Sequence, residues 1–349
     1  MKSAIYLDAH VLACPPSEEG LDSFLEYITN LVSWRELRQH NWIDVYISRN
    51  AAHSLAEANA YPPYPELLKT ITAFGIQHIQ PKDVVDLING FLQKSHVIED
   101  EMGIDDLLFE NFNLNPFVPY KARRASFPYH FELLAVLISM HRTFITDINN
   151  QLLLTSPDLK YFGPTKTKST VTALTKTTNE LIPDDIVEPL AVEAQFFLCK
   201  CIHSLNLGTN PCAVWANAKG EIALRKAIEL YIYQDEHNGN SNINVLSKVK
   251  YSFGIHFLQS CRKLGFFDEL HKINLLLRAC SETLLNMKTH ETHWIRTSSG
   301  GNAPQLKRGN DAAWRRNINH EYHLHYWTIV SGFEFSVVVP HSDCTIPLD

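Results

Sequence analysis

The sequence lacks the long apolar runs and the short motifs by which many protein classes are recognised. No apolar run is long enough to span a membrane, and the opening residues MKSAIYLDAHVLACPP have too short an apolar core for a secretory signal. A Walker loop, a dinucleotide-binding glycine fingerprint, a nucleophile elbow, a paired Cys-x-x-Cys and internal repeats are also missing. We therefore expect a cytoplasmic protein with no membrane partner, outside several common enzyme classes.

Cysteine shows no pattern that would cross-link the chain. The seven cysteines are scattered, odd in number and mostly inside apolar helical patterns, which is typical of reduced core cysteines in cytosolic proteins. Cys199, Cys201 and His203 are close in sequence, but Cys-x-Cys spacing places the two thiols on different sides of a predicted helix. Without a second pair of ligands, zinc is the less favoured interpretation of these residues.

The chain also lacks an excess of basic residues. It has 31 Lys and Arg against 38 Asp and Glu, a formal net charge of −7 at pH 7. This balance argues against a protein that coats nucleic acid with its whole surface, so any such contact must come from a local basic patch. The length of 349 residues and the 45% hydrophobic content suit two or three globular domains.

Residues 1–162 predict an α/β domain with a parallel sheet. Residues 4–12 form an apolar run broken by Asp8, which is typical of a buried first strand that ends in a carboxylate. A helical pattern at 21–37 and a second apolar run at 42–48 follow. This alternation indicates crossover helices between parallel strands, and sites form at the carboxyl ends of such strands.

The rest of the chain divides into three predicted segments. Residues 163–180 are rich in Thr and Lys and predict a linker or an edge strand. Residues 181–290 show apolar residues at three- and four-residue spacing, including 186–207, and predict a helical domain. Residues 291–349 predict a small β-rich C-terminal module.

The C-terminal module has the densest group of functional side chains. The segment EYHLHYWTI alternates, so that as a strand it places Glu321, His323 and His325 on one face. Two arginines, Arg315 and Arg316, lie a few residues upstream of it. We expect one working surface, with these candidate catalytic residues: Glu321, His323, His325, Arg315 and Arg316.

Three uses of this surface remain open. The first use is nucleic-acid binding, with Lys307, Arg308 and Trp314 as the binding residues, since arginine binds phosphate groups and a tryptophan ring stacks on bases. The histidines suit proton transfer near neutral pH, or a metal with help from His341 or Asp343. The same residue types are also common at protein interfaces.

This module resembles the C-terminal part of RelE/YoeB-type messenger-RNA interferases. The matching pieces are GNAPQL (301–306), AWRRNI (313–318) and EYHLHY (321–326). The glutamate of the family is kept as Glu321, whereas its catalytic loop glutamate falls at Pro304 or Gln305 and its strand arginine at His323. The resemblance implies RNA as the substrate and a bacterial toxin or antiphage setting.

The first 160 residues resemble PIN-type nuclease domains in the order of their features. An aspartate follows the first strand, a Ser-to-Glu stretch follows the second, a late helix has an acid, and a Thr-x-x-Asp closes a final strand. The resemblance implies that clustered acids hold Mg²⁺ or Mn²⁺, which activates water for phosphodiester cleavage. The matching acids are Asp8, Glu57, Glu132 and Asp158.

Together these features predict a nucleic-acid-processing protein, a metal-dependent or toxin-like nuclease with RNA favoured over DNA. The alternative is a non-catalytic subunit of a larger assembly, whose aromatic and arginine-rich segments are protein interfaces. A protein partner is expected in either case.

Overall fold

A computed structural model describes residues 2–39, 42–115, 127–145, 148–155, 167–179, 190–237, 249–298 and 302–348. The chain forms two compact units, Met1–Thr209 and Asn210–Asp349, and each is described by itself. Among the described residues, no helix is both long enough and apolar enough to cross a membrane.

The N-terminal unit is built on a seven-stranded, mostly parallel sheet. Its strands are β1 (Lys2–Leu7), β2 (Ile43–Ile47), β3 (His96–Val97), β4 (Ile104–Asn115), β5 (Ile148–Leu154), β6 (Thr167–Asn179) and β7 (Leu190–Cys199). Their order across the sheet is β3-β2-β1-β5-β7-β6-β4. The first five strands in this order, β3, β2, β1, β5 and β7, pair with one another in parallel, whereas β6 pairs antiparallel with both β7 and β4. The predicted α/β unit with a parallel sheet is confirmed.

The parallel strands have the order of a doubly wound fold. Counted along the chain, β1, β2, β3, β5 and β7 lie in the order 3-2-1-4-5, so the direction of strand addition reverses between β1 and β5. In open α/β sheets, ligands bind beyond the carboxyl ends of the two strands at such a reversal. In this unit those ends lead into Asp8 and Thr155.

Helices cover the sheet and extend beyond it. They are α1 (Gly20–Leu37), α2 (Ala51–Glu57), α3 (Tyr64–Ala73), α4 (Pro81–Lys94), α5 (Ile98–Met102), α6 (Phe127–Phe144) and α7 (Ile202–Gly208). At the start of α4, Pro81 takes the first position, where no amide hydrogen is needed, and Asp83 accepts from the amide of Gln80 at 2.9 Å. Helix α6 has an apolar run from Leu133 to Ile138, which lies in a core cluster with residues of β1 and β7.

Two predicted elements differ from the structure for the same physical reason. Strand β6 occupies the segment predicted to be a linker or an edge strand and lies inside the sheet, and β7 lies where a helix was predicted at 186–207. In β7 every second side chain is buried, at Val192, Ala194 and Phe196, so the period of the apolar residues is two. Both strands therefore belong to the N-terminal unit, whose boundary lies at residue 209.

The C-terminal unit combines helices with a second sheet. Its helices are α8 (Pro211–Ala216), α9 (Glu221–His237), α10 (Phe257–Lys263) and α11 (Leu270–Leu284). Its strands are β8 (Lys250–Phe253), β9 (Thr292–Trp294), β10 (Lys307–Arg308), β11 (Asp311–Asn317), β12 (Tyr322–Ile329) and β13 (Gly332–Pro340). The order is β10-β11-β12-β13-β8, and β9 also pairs with β11. All pairs are antiparallel except β13 with β8, so the predicted C-terminal β structure is confirmed.

The turn between β12 and β13 requires a glycine. Gly332 has φ +142°, and a Cβ atom at this position would lie 1.8 Å from the carbonyl oxygen of Lys250 on β8. Gly309 also has a positive φ, of +60°, but open space surrounds its missing Cβ. A comparison of substitutions at the two glycines therefore separates the effect of backbone strain from that of a steric clash.

We predict that Gly332→Ala destabilises the protein by at least about 2 kcal/mol, because strain and overpacking add at this position. Gly309→Ala, the matched control, should cost about 1 kcal/mol through its backbone conformation alone. Urea denaturation of both variants measures the difference. Equal effects of the two substitutions would contradict the close approach of β13 to β8.

Candidate functional site

Basic side chains form a row across three strands of the C-terminal sheet. Arg315 on β11 pairs with His325 on β12 and with His293 on β9, so these three side chains share one face. His323 lies two residues before His325, on the same face, and its ring stacks on that of His325 with 6.0 Å between centroids. The exposed His341, just after β13, approaches His323 with 4.3 Å between ring centroids. We call His293, Arg315, His323, His325 and His341 the basic cluster.

Burial and mutual repulsion keep two of these histidines neutral. His323 and His325 are almost completely buried. Burial, followed by the four basic residues around it in the cluster, lowers the pKa of His323 to about 4. Burial also lowers the pKa of His325 to about 4, partly opposed by a hydrogen bond and by Asp343. Both imidazoles are therefore uncharged at neutral pH.

The cluster has unused hydrogen-bonding capacity. His325 Nδ1 lies 2.7 Å from the carbonyl oxygen of Thr345, and an Arg315 guanidinium nitrogen donates to Sγ of Cys344 at 3.2 Å. Arg315 Nε, His323 Nδ1 and His325 Nε2 are buried without a hydrogen-bond partner among the described residues. Such atoms are rare in folded proteins, and a ligand is one way to satisfy them.

The predicted single surface is wrong for Arg316. Arg316 points to the opposite face of β11, where its guanidinium pairs with Glu282 at 3.2 Å and donates to the Met287 carbonyl at 2.6 Å. It is 2% exposed and therefore structural. Glu321 is exposed just before β12, and its carbonyl oxygen accepts from the amide of His341 at 2.7 Å. Consecutive arginines on a strand cannot share a face.

Of the three residues predicted to bind nucleic acid, Arg308 is already engaged. Its guanidinium pairs with Asp311 and Glu334 and lies 4.8 Å from the ring of Trp327. Lys307 is exposed on β10. The structure therefore leaves Lys307 available for a ligand, whereas Arg308 stabilises the sheet.

Trp314 belongs to an aromatic pair that the sequence analysis missed. Its ring meets Trp294 of β9 edge to face, with 6.2 Å between centroids, and Trp294 is 50% exposed. Arg296 lies 6.0 Å from the Trp294 ring. The pairing of β9 with β11 creates this group, and the alternation in Thr-His-Trp at 292–294 was the available signal. An exposed ring beside a guanidinium is suited to stacking.

In the N-terminal unit, Asp8 follows β1 at the reversal of strand order and is 1% exposed. Its Oδ1 accepts from the amide of His10 at 3.1 Å and its Oδ2 from the hydroxyl of Thr155 at 2.8 Å. Burial raises the pKa of Asp8 to about 6, although both hydrogen bonds oppose the shift.

The other acids expected at this edge are not gathered around Asp8. Glu57 is exposed on α2 and lies 3.0 Å from His53, while Glu132 is half-buried on α6. Asp158 lies outside the described residues, so its approach to Asp8 is untested. In the described part of the chain, no three His, Cys, Asp or Glu side chains are placed to hold a metal ion.

An acid that the sequence analysis did not single out lies at the end of β2. Glu99, at the start of α5, accepts from the Ser48 hydroxyl at 2.6 Å and from the Arg49 amide at 2.9 Å. The two partners are about fifty positions away in sequence, so no local pattern indicates the contact. Glu99 fixes the turn after β2.

No model of a known protein family matches the sequence, and no curated protein and no solved structure matches the chain. The functional argument therefore depends on the residues themselves and on their geometry.

We predict that Asp8→Asn leaves the protein as stable as wild type or more stable at pH 7. The folded-state pKa of about 6 lies above the ordinary 3.8, so the stability that Asp8 contributes is present below pH 3.8 and lost as pH rises through 6. The amide avoids a buried charge, and the advantage should disappear near pH 4. Thermal denaturation at both pH values measures this, and a large loss at pH 7 would contradict it.

We predict that acid destabilises the C-terminal unit through His323 and His325. Their folded-state pKa of about 4 lies below the ordinary 6.5, so the stability they contribute is present above pH 6.5 and lost as pH falls towards 4. His323→Gln combined with His325→Gln should reduce the fall in melting temperature between pH 7.5 and pH 5. The exposed His271 provides the control, as His271→Gln. An unchanged fall in the double variant would refute the assignment.

Proposed function

We propose that this protein processes nucleic acid, with RNA as the favoured substrate, and that the basic cluster binds the phosphate backbone. The observation that carries the proposal is the gathering of His293, Arg315, His325 and His341 around His323 on one side of the sheet, where each of them lowers its pKa. Cations gathered on one sheet face repel one another, and a phosphate anion converts that repulsion into attraction. Arginine is well suited to this task, because its guanidinium binds two phosphate oxygens at once.

In the proposed reaction the cluster also moves protons. A neutral histidine, His323 or His325, accepts the proton of an RNA 2′-hydroxyl as that oxygen attacks the adjacent phosphorus. The bond from phosphorus to the 5′-oxygen breaks, a cyclic phosphate forms, and His341 gives the leaving oxygen its proton. Arg315 stabilises the charge on the phosphate. The reaction uses the 2′-hydroxyl, which DNA lacks, and this is why RNA is favoured.

The tryptophan pair offers a second surface for a single strand, on the face of the sheet opposite the basic cluster, because Trp314 and Arg315 are consecutive on β11. Trp294 and Trp314 supply rings on which unpaired bases stack, and Arg296 adds a positive charge beside them. Stacking on aromatic side chains is worth roughly 1–3 kcal/mol per base and tolerates any sequence. We propose a toxin-like or defence setting because the same segment resembles RelE/YoeB-type interferases.

The α/β unit supports a metal-dependent form of the same proposal, similar to that of PIN-type nuclease domains. A divalent cation such as Mg²⁺ or Mn²⁺ would activate water and offset phosphate charge. Asp8 lies where such a site would form, as a buried carboxylate at the reversal of strand order. Glu57 and Glu132 do not join it within the described residues, and Asp158 lies outside them.

A non-catalytic interaction subunit is the second candidate function, and strand β4 favours it. This 12-residue strand lies at the edge of the N-terminal sheet, and Leu108 on it is 71% exposed. A long edge strand with an apolar side chain in solvent is a common place for a protein partner to add a strand.

We predict that Arg315→Gln weakens binding of a fluorescent single-stranded RNA by about tenfold, as expected for the loss of one phosphate contact. Lys263→Gln, on the exposed side of α10, removes an equal charge and should leave affinity unchanged. The melting temperature of each variant checks the fold. Unaltered affinity for RNA after Arg315→Gln would remove the basic cluster from the proposal.

Cleavage assays with wild type and Asp8→Asn distinguish the two catalytic forms. Cleavage of RNA but not of matched DNA, insensitive to EDTA and to Asp8→Asn, would favour the histidines. Cleavage that requires Mg²⁺ or Mn²⁺ and is lost in Asp8→Asn would favour the α/β unit. If RNA is neither bound nor cut, the interaction subunit becomes the better description.

A further inference from the structure

Strand β4 leaves one edge of the N-terminal sheet open. It pairs antiparallel with β6 on one side, and among the described residues no strand pairs with its other side. The outer edge of such a strand carries backbone N–H and C=O groups that the sheet does not use. A segment of another protein can bind these groups by adding a strand, and its side chains then decide whether it fits.

Two features limit the length of strand that is free to pair. At the start of β4, the Arg49 guanidinium donates to the carbonyl oxygens of Ile104 at 3.1 Å and of Asp105 at 3.3 Å. Towards the other end, Asn111 has a left-handed backbone with φ +55°, where the register with β6 shifts. Residues 106–110 lie between these limits and pair regularly with β6. We call them the open edge.

One face of the open edge is acidic. Asp106, Leu108 and Glu110 alternate along the strand and share this face, and all three are exposed, Leu108 by 71%. Among the described residues, neither carboxylate has an ion-pair or hydrogen-bond partner. Lys176 lies opposite Leu108 on β6 and supplies one positive charge against the two negative ones. This face therefore attracts further basic side chains.

The other face of the open edge is apolar and aromatic. Leu107 and Phe109 lie on it, both half-buried. The ring of Phe109 stacks on that of Tyr129 on α6, with 6.0 Å between centroids, and Tyr129 is 56% exposed. A strand added to β4 would place its own alternate side chains beside these rings. Apolar residues suit those positions, because they cover exposed aromatic surface.

The same charges argue against a second copy of this chain as the occupant. A symmetric antiparallel pairing centred on Leu108 would place Asp106 of each copy opposite Glu110 of the other. Like charges that lie directly opposite one another across two strands destabilise the pair, whereas opposite charges stabilise it. The occupant that fits is a strand with basic residues at these two positions.

We propose that the open edge binds an extended segment of a partner protein in which two basic residues flank an apolar one on one face and apolar residues occupy the other. The inference rests on the second candidate function, the interaction subunit, and names the chemistry of its partner. It uses no residue of the basic cluster. The RNA assays can therefore fail without affecting this proposal, and this proposal can fail without affecting them.

Three labelled peptides test the proposal on the full-length chain by fluorescence anisotropy. The first contains Lys-Val-Leu-Val-Lys, which matches both faces of the open edge. Glu-Val-Leu-Val-Glu keeps the alternation and reverses the charge, and Lys-Lys-Val-Val-Leu keeps the composition and loses the alternation. The first peptide should bind at least about fivefold tighter than either of the others, as expected for two cross-strand charge pairs.

Hydrogen exchange measured by mass spectrometry then shows where the first peptide binds. Strand addition should slow the exchange of amide hydrogens in β4, because they become hydrogen-bonded to the peptide. Binding to acids elsewhere on the chain would leave the exchange in β4 unchanged, and this result would overturn the proposal.

Charge-reversed variants locate the contact. Asp106→Lys combined with Glu110→Lys should exchange the preference, so that the acidic peptide binds and the basic one does not. Glu26→Lys combined with Glu36→Lys, at exposed acids of α1, changes the net charge equally and should leave the preference as in wild type. Melting temperatures show whether each variant is folded.

A milder pair of substitutions serves if the charge-reversed variant does not fold. Asp106→Asn combined with Glu110→Gln should weaken binding of the basic peptide by about fivefold. No binding of that peptide at millimolar concentration, equal affinity for all three peptides, or wild-type affinity in the folded Asp106→Asn and Glu110→Gln variant would each overturn the proposal.

Discussion

The alternation of side chains along β-strands is the constraint on which most of this structure depends. In β11 it sends Arg315 to one face and Arg316 to the other, so that one arginine joins a group of histidines and its neighbour becomes the buried partner of Glu282. Buried and exposed side chains alternate in the same way along β7, which is a strand of the first sheet. A shift of one residue in any of these registers would exchange buried and available groups.

Ionisable groups are buried in both units, and their burial makes stability change with pH in opposite directions. Asp8 prefers its protonated form because water is excluded, and its pKa is raised. His323 and His325 prefer their neutral forms for the same reason, and their pKa values are lowered. Each arrangement costs stability when the charged form is imposed, and each would be relieved by a ligand of opposite charge. Buried groups of this kind cluster at functional sites more often than elsewhere.

The two units present surfaces of different sign. The C-terminal unit gathers basic side chains around His323, whereas Asp44, Asp100 and Glu101 line one cavity of the N-terminal unit. A net charge of −7 conceals this division, because it sums the two regions.

The sequence by itself determined the elements with a strong local signal. The apolar run that ends at Asp8, the strand–helix alternation that follows it and the His-x-His strand were all predictable, because side-chain period and strand ends are local properties. Only the tertiary structure decided which faces of the strands and helices came into contact. The pairing of β9 with β11 brought Trp294 to Trp314, the fold brought Glu99 to Ser48, and sheet pairing showed that β6 is an interior strand. These contacts join residues far apart in the chain, and their free energy comes from burial and hydrogen bonding that no short window of sequence contains.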